Sequence, residues 1–158
     1  MPEYVTRLAL RPATSDDSAM LLDWRNRPEI YRLGASNRMV TEDEHAAWMS
    51  KMLSDDASRV FVIEEDDSPV GQIRFVAMGP RTSTVSIFLL PEHQGRGLGR
   101  DALAMGCATA FAQLDIDAID AEIIETNTRS LSFFRDAHFE TVGTDHGVVK
   151  MVLRRPSQ

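Results

Sequence analysis

The chain has 158 residues, 43% of them hydrophobic and 26% charged, enough for one domain over 1–158 whose core needs no disulfide or metal staple. Its net charge of −7 argues against non-specific nucleic-acid binding, which draws on a surplus of Lys and Arg. The single cysteine, Cys107, excludes an internal disulfide and a cysteine-rich zinc site, no apolar run approaches the ~20 residues of a membrane-spanning helix, and Glu3 and Arg7 interrupt what would be a signal peptide, so the expectation is a cytoplasmic protein without metal or membrane partner.

Residues 5–11 alternate apolar and polar side chains up to Pro12 and predict a first strand. Thr14 and Asp17 then make a helix-start signal, with Met20, Leu21 and Trp24 at helical spacing and Pro28 as the breaker. Residues 28–33 predict a short second turn of helix. Thr41-Glu42-Asp43-Glu44 is a stronger capping box, followed by Ala47, Trp48, Met52 and Leu53 as the expected apolar face. Three strands over 60–63, 70–76 and 85–90 are joined by Asp66-Asp67-Ser68-Pro69 and Gly79-Pro80, turn sequences that predict an antiparallel meander. A long helix carries Leu103, Cys107, Phe111 and Leu114. A strand over 118–124, a helix capped by Asn127, and two strands over 139–142 and 148–153 complete an α/β order, β-α-α-β-β-β-α-β-α-β-β, with a mixed sheet between helical layers.

Gln94-Gly95-Arg96-Gly97-Leu98-Gly99-Arg100 stands between a strand and the long helix. Alternating glycines allow close backbone approach. The first N–H groups of the helix, with its dipole, form an anion site suited to a pyrophosphate. Arg96 and Arg100 offer further charge-assisted donors. No Lys-Ser or Lys-Thr follows, which excludes a nucleoside-triphosphate loop of the Walker kind. The 97–102 stretch fits a loose dinucleotide fingerprint, but the preceding meander is the wrong context for one. A glycine-rich helix start without a ligand is the plain structural alternative.

Gln94, Gly97 and Gly99 also satisfy the coenzyme A loop of the GNAT N-acetyltransferase superfamily, which the chain resembles over essentially its whole length. Arg11-Pro12-Ala13-Thr14 before the first helix agrees with that family, as does Asn127-Thr128-Arg129-Ser130-Leu131-Ser132-Phe133-Phe134 followed by His138-Phe139. The resemblance implies a three-layer αβα domain whose mixed, mostly antiparallel sheet is splayed at an acetyl-CoA site. It implies acetyl-CoA as co-substrate, with its pantetheine arm along Phe88, Leu89 and Leu90 and its pyrophosphate on Gln94, Gly95, Arg96, Gly97, Leu98, Gly99 and Arg100. Asn127, Ser130, Phe133 and Phe134 would complete the coenzyme wall, and the amide near Leu89 would polarise the acetyl carbonyl. Where the family often has an acidic Tyr, seven residues after the Asn, this chain has Phe134, which carries no proton to give.

The same resemblance points to the acceptor through the first two helices. Trp24-Arg25-Asn26-Arg27 and Glu44-His45-Ala46-Ala47-Trp48 look like the branch that acetylates the 4-amino group of nucleotide-linked amino sugars in the pseudaminic acid pathway. In that reading Arg25 and Arg27 bind a diphosphate, Asn26 bonds sugar hydroxyls, Trp24 or Trp48 stacks on a ring, and His45 accepts the amine proton. The residues by themselves leave Trp24 and Trp48 open as core residues and His45 as a surface residue. Protein N-terminal acetylation, as in the ribosomal-protein branch, and a catalytically weak coenzyme-A-binding module are the alternatives. The expected partner is a small-molecule amine, nucleotide-linked, taken up by a monomer or homodimer.

Overall fold

The computed structural model describes residues 7–33 and 37–157. One sheet of seven strands runs in the order β1-β2-β3-β4-β5-β7-β6. Its strands are β1 (Leu8–Pro12), β2 (Arg59–Glu65), β3 (Ser68–Ala77), β4 (Thr82–Leu89), β5 (Ala118–Ile124), β6 (Glu140–Asp145) and β7 (Val148–Arg154). Helices α1 (Ser18–Arg25), α2 (Pro28–Tyr31) and α3 (Glu42–Ser54) cover one face, and α4 (Leu98–Gln113) and α5 (Thr128–Asp136) the other. Short 3-10 turns at Ser15–Asp17 and Pro91–His93 enter this order. Of the predicted first strand, residues 5 and 6 lie outside the described residues.

The two faces have separate cores, as period-2 strands between two helical layers require. Ile63, Ile73, Phe75, Ile119 and Met151 pack under Leu103 and Cys107 of α4. Burial pushes the Cys107 thiol up to about 12. Val60, Val62 and Leu90 pack under Leu21, Trp24, Met49 and Met52. Helix α3 is rotated from the expected apolar face. His45, Met49 and Met52 are its buried line, whereas Leu53 is 42% exposed. The i, i+4, i+7 set containing a histidine is the one that meets the sheet, because Met49 and Met52 fill the space above Val60 and Val62.

Strand β4 begins at Thr82, three residues before the apolar run that predicted it. The Thr-Ser-Thr segment reads as loop in isolation. In the sheet the Ser83 hydroxyl donates to Val76 carbonyl and the Thr84 hydroxyl to Asp120 carboxylate, and Ser83 is wholly buried. These three residues also make the sheet's parallel junction, Thr82, Ser83 and Thr84 against Ala118, Ile119 and Asp120. Beyond Thr84 the pairing of β4 with β5 ends, although both strands run on to Leu89 and Ile124. Every other neighbouring pair is antiparallel. The result is a V-shaped gap in the middle of the sheet, open toward the glycine-rich turn.

Candidate active site

The gap leaves backbone groups of β4 facing outward. Leu90 N–H donates to Val70 carbonyl (2.9 Å), on the β3 side. By the alternation of an extended strand, the N–H and C=O of Leu89 point the other way, into the gap. The Leu89 carbonyl accepts from Gln94 Nε2 at 2.9 Å, which ties the glycine-rich turn to the strand end. The Leu89 N–H has no strand to donate to, since the ladder to β5 stopped at Thr84. It is a fixed dipole of the kind that stabilises an oxyanion.

Leu89 is held in place from behind by Gly71, its partner on β3. A Cβ at Gly71 would run into the Phe88 carbonyl and stand 3.0 Å from Leu89 Cα. Gly71 was missed in the sequence, where it reads as an ordinary residue inside a strand. Its signal is a glycine inside a strand, which marks close approach of another backbone.

Gly95 and Gly97 both adopt left-handed angles, with φ of +83° and +81°. Gly97 is the N-cap of α4, whose first internal bond runs from Asp101 N–H to Gly97 carbonyl (3.2 Å). The amides of Leu98, Gly99 and Arg100 therefore open the helix ahead of that bond, free of intrahelical acceptors. Leu98 is buried and anchors the helix start in the core. The residues fit a coenzyme pyrophosphate: two glycines in conformations that L side chains resist, an open helix start, and the exposed Arg100 beside Gly97. Arg96 is committed elsewhere. Its two terminal nitrogens donate to Glu65 at 3.0 and 2.9 Å, with His93 3.4 Å away.

The far wall is α5. Asn127 caps it, accepting from Ser130 N–H at 3.2 Å. Phe133 presents its ring edge toward Gly99. Phe134 is buried edge-to-face against Phe133 and Phe139, with centroids 5.2 and 5.1 Å apart. It is a packing residue of the main core. The helix ends in a Schellman motif, with Phe139 N–H on Phe134 carbonyl and His138 N–H on Arg135 carbonyl, both at 3.0 Å. His138 sits at the left-handed position of that motif, φ +73° and exposed. Glycine is the residue that takes this position without a Cβ penalty.

On the opposite face, a cavity of about 260 Å³ is lined by Arg25, Val40, Glu44, His45, Trp48, Gln72 and Arg74. Gln72 faces Phe88 across the ladder, so the cavity lies one strand away from the Leu89 amide. His45 is 6% exposed and its Nδ1 lies 3.5 Å from Ser18 Oγ. Burial, then Arg25 and Arg74, hold its pKa below the usual 6.5, so it is uncharged at neutral pH and able to take a proton. Of the other expected acceptor residues, Arg25 and Trp48 line the cavity, while Arg25 also donates to Arg38 carbonyl at 2.9 Å. Asn26 clamps Val40, donating to its carbonyl (2.9 Å) and accepting from its N–H (2.8 Å). Trp24 is 4% exposed in the core, edge-on to Phe88. Arg27 reaches back to Asp23 at 3.3 Å on the surface.

Residues 7–140 match the model of the acetyltransferase (GNAT) domain. The chain belongs to the GNAT acetyltransferase family. It is an acetyl-CoA-dependent N-acetyltransferase. Among curated relatives, acetyltransferase PseH of Campylobacter jejuni is 21% identical over 141 residues, 89% of this chain and 88% of that one. The crystal structure of spermidine N-acetyltransferase from Vibrio cholerae in complex with CoA and spermine superposes with a TM-score of 0.83 at 21% identity, covering 93% and 95% of the two chains. Aminoglycoside acetyltransferase AAC(6')-Ib in complex with coenzyme A superposes with a TM-score of 0.81 at 20% identity over 94% and 95%. The shared fold includes the mixed sheet with its splay, which bears out the expected architecture. Among the described residues no group of His, Cys, Asp and Glu could hold a metal ion, and no helix is long and apolar enough to cross a membrane.

Proposed function

We propose that this GNAT enzyme acetylates the 4-amino group of a nucleotide-linked amino sugar, bound with its ring in the cavity between α1, α3 and β3. The observation that carries the reading is the buried, uncharged His45 sharing that cavity with Arg25, one strand away from the Leu89 amide. The volume of about 260 Å³ is below the ~300–1,000 Å³ of sites for drug-sized ligands, which suits one sugar ring with the nucleotide trailing outward. The relation to PseH over 89% of the chain supports the same substrate class. Acetyl-CoA and a nucleotide sugar are both soluble metabolites, so the reading also favours the cytoplasm.

In this reading the amine nitrogen attacks the acetyl carbonyl, the C–S bond breaks, and the coenzyme departs as thiolate. The Leu89 N–H donates to the developing oxyanion. His45 takes the proton released by the attacking nitrogen, directly or through one water. Phe134 offers no proton to the thiolate, which leaves unassisted. Asn127 holds the start of α5 against the coenzyme arm.

The test is a panel of acceptors with purified protein and acetyl-CoA: a nucleotide-linked 4-amino-4,6-dideoxy sugar, spermidine, and a peptide with a free N-terminus. Release of coenzyme A thiol and the mass of the amide are measured. The reading expects the nucleotide sugar to be preferred, and acetylation of the peptide or spermidine alone would overturn it.

A further inference from the structure

Gln72 and Arg74 stand on the face of β3 covered by α1 and α3, while Ile73 and Phe75 between and beside them are wholly buried on the α4 face. Polar side chains on an interior, doubly covered strand are costly to bury unless they find partners. Neither is fully partnered here. Gln72 is 4% exposed and its Nε2 has no hydrogen-bond partner among the described residues. The Arg74 guanidinium lies 5.0 Å over the Trp48 ring, with no carboxylate in ion-pair range among the described residues. A second guanidinium, Arg25, lines the same cavity. The carboxylate on its rim, Glu44, is drawn to Arg38 at 2.9 Å and to Thr41 N–H at 3.1 Å. The cavity wall thus presents the Arg74 guanidinium on the Trp48 ring and the unused Gln72 amide donor, with Arg25 lining the same cavity.

We propose that this wall is an oxyanion subsite, in which Arg74 and Gln72 of β3, with Arg25, hold a phosphate or carboxylate group of the acetyl acceptor. It rests on reading the cavity as the acceptor site. Residues two apart on one strand face are separated by about 6.6 Å, a span that one oxyanion bridges with a donor at ~2.9 Å on either side. An anion there satisfies the orphaned Gln72 amide and relieves the repulsion between Arg25 and Arg74. Burial first, and then that repulsion, hold Arg74 down to about 10, still charged at neutral pH. The two guanidinium groups also keep a nearby amine unprotonated, the form that attacks. The same wall rejects a polyamine, whose positive charges meet Arg25 and Arg74.

Inorganic pyrophosphate is the direct probe, added to the full chain already saturated with coenzyme A so that the α4 site is filled. Calorimetry should show pyrophosphate binding, weakened about tenfold to a hundredfold in Arg74→Met and in Gln72→Glu, the loss of one charge-assisted contact. Coenzyme A affinity, set by the 94–100 turn, should stay at the wild-type value in both, which also reports that they fold. If Arg74→Met does not fold, Arg74→Lys keeps the charge but loses the planar fork, and should show a smaller loss in the same direction. With an accepted substrate, Arg74→Met should raise the acceptor KM by a larger factor than it lowers kcat. No binding of pyrophosphate to the wild-type complex, or equal binding to all variants, overturns the subsite. If nucleotide sugars are acetylated with an unchanged KM in both variants, the subsite is wrong and the acceptor reading stands. If nucleotide sugars are refused while pyrophosphate binding still depends on Arg74, the acceptor class is wrong and the subsite stands. A uronate in place of pyrophosphate separates carboxylate from phosphate as the group bound.

Discussion

Adding one methyl group at Gly71 tests whether the Leu89 amide does the chemistry assigned to it. In Gly71→Ala the new Cβ would fall on the Phe88 carbonyl oxygen and stand 3.0 Å from both Leu89 Cα and Leu89 Cδ2. Relief requires β3 and β4 to part by about 1 Å at this pair, and a misplacement of ~1 Å at a reacting centre costs about a hundredfold in rate. The expected fall in kcat is therefore about tenfold to a hundredfold, ~1.4–2.7 kcal/mol in barrier. Overpacking should also lower stability by ~1–3 kcal/mol, read from the urea midpoint. Gly143→Ala is the control: its Cβ meets nothing within 4 Å, and both kcat and stability should hold. The assay is steady-state turnover with saturating acetyl-CoA and acceptor, at a temperature where both variants are folded. A folded Gly71→Ala protein with wild-type kcat would refute the role given to the Leu89 N–H.

Gly97→Asp should reduce coenzyme A affinity at least a hundredfold by calorimetry, because it places a side chain and a negative charge on a left-handed N-cap where a pyrophosphate belongs. His45→Gln should lower kcat and remove the acidic limb of the kcat/KM profile; in the wild type that limb lies below the ordinary histidine value, since burial lowers the pKa of this base. The linked stability change has a definite sign: the unfolded chain binds the proton more readily, so stability falls as pH drops from about 6.5 through the lower native value, and His45→Gln should flatten that fall. His138→Gly should stabilise the protein by ~1 kcal/mol in urea denaturation without altering kcat, because glycine adopts the left-handed angle of the α5 terminus without the cost borne by a Cβ.

The order of elements was legible in the chain because its signals are local. Capping boxes, turn sequences and apolar periodicity act over a few residues and need no partner to be read. The Thr41 and Glu44 box is present in both directions, Glu44 N–H to Thr41 Oγ1 at 3.0 Å and Thr41 N–H to the Glu44 carboxylate at 3.1 Å. The glycine-rich turn was legible for the same reason, since left-handed angles and an open helix start are properties of adjacent residues. The start of β4 was not, because a Thr-Ser-Thr segment becomes a strand only when Val76 and Asp120 stand ready to accept its hydroxyls.

The sequence alone determined the layered α/β order and the glycine-rich start of α4, both written in short-range patterns. Tertiary structure decided which side chains share the cavity beside β3. His45 moved from a helix surface into a buried cavity because Met49 and Met52 set the rotation of α3 on the sheet. Trp24 became core and Asn26 a clamp on Val40, while Gln72 and Arg74 came forward from a strand whose polar alternation resembles a solvent-facing edge. Only the sheet order shows that β3 lies between β2 and β4 and under helices on both faces, so that Gln72 is buried with its Nε2 unpartnered among the described residues. Which residues share a cavity depends on strand register and helix rotation, and these are set by packing between segments tens of residues apart.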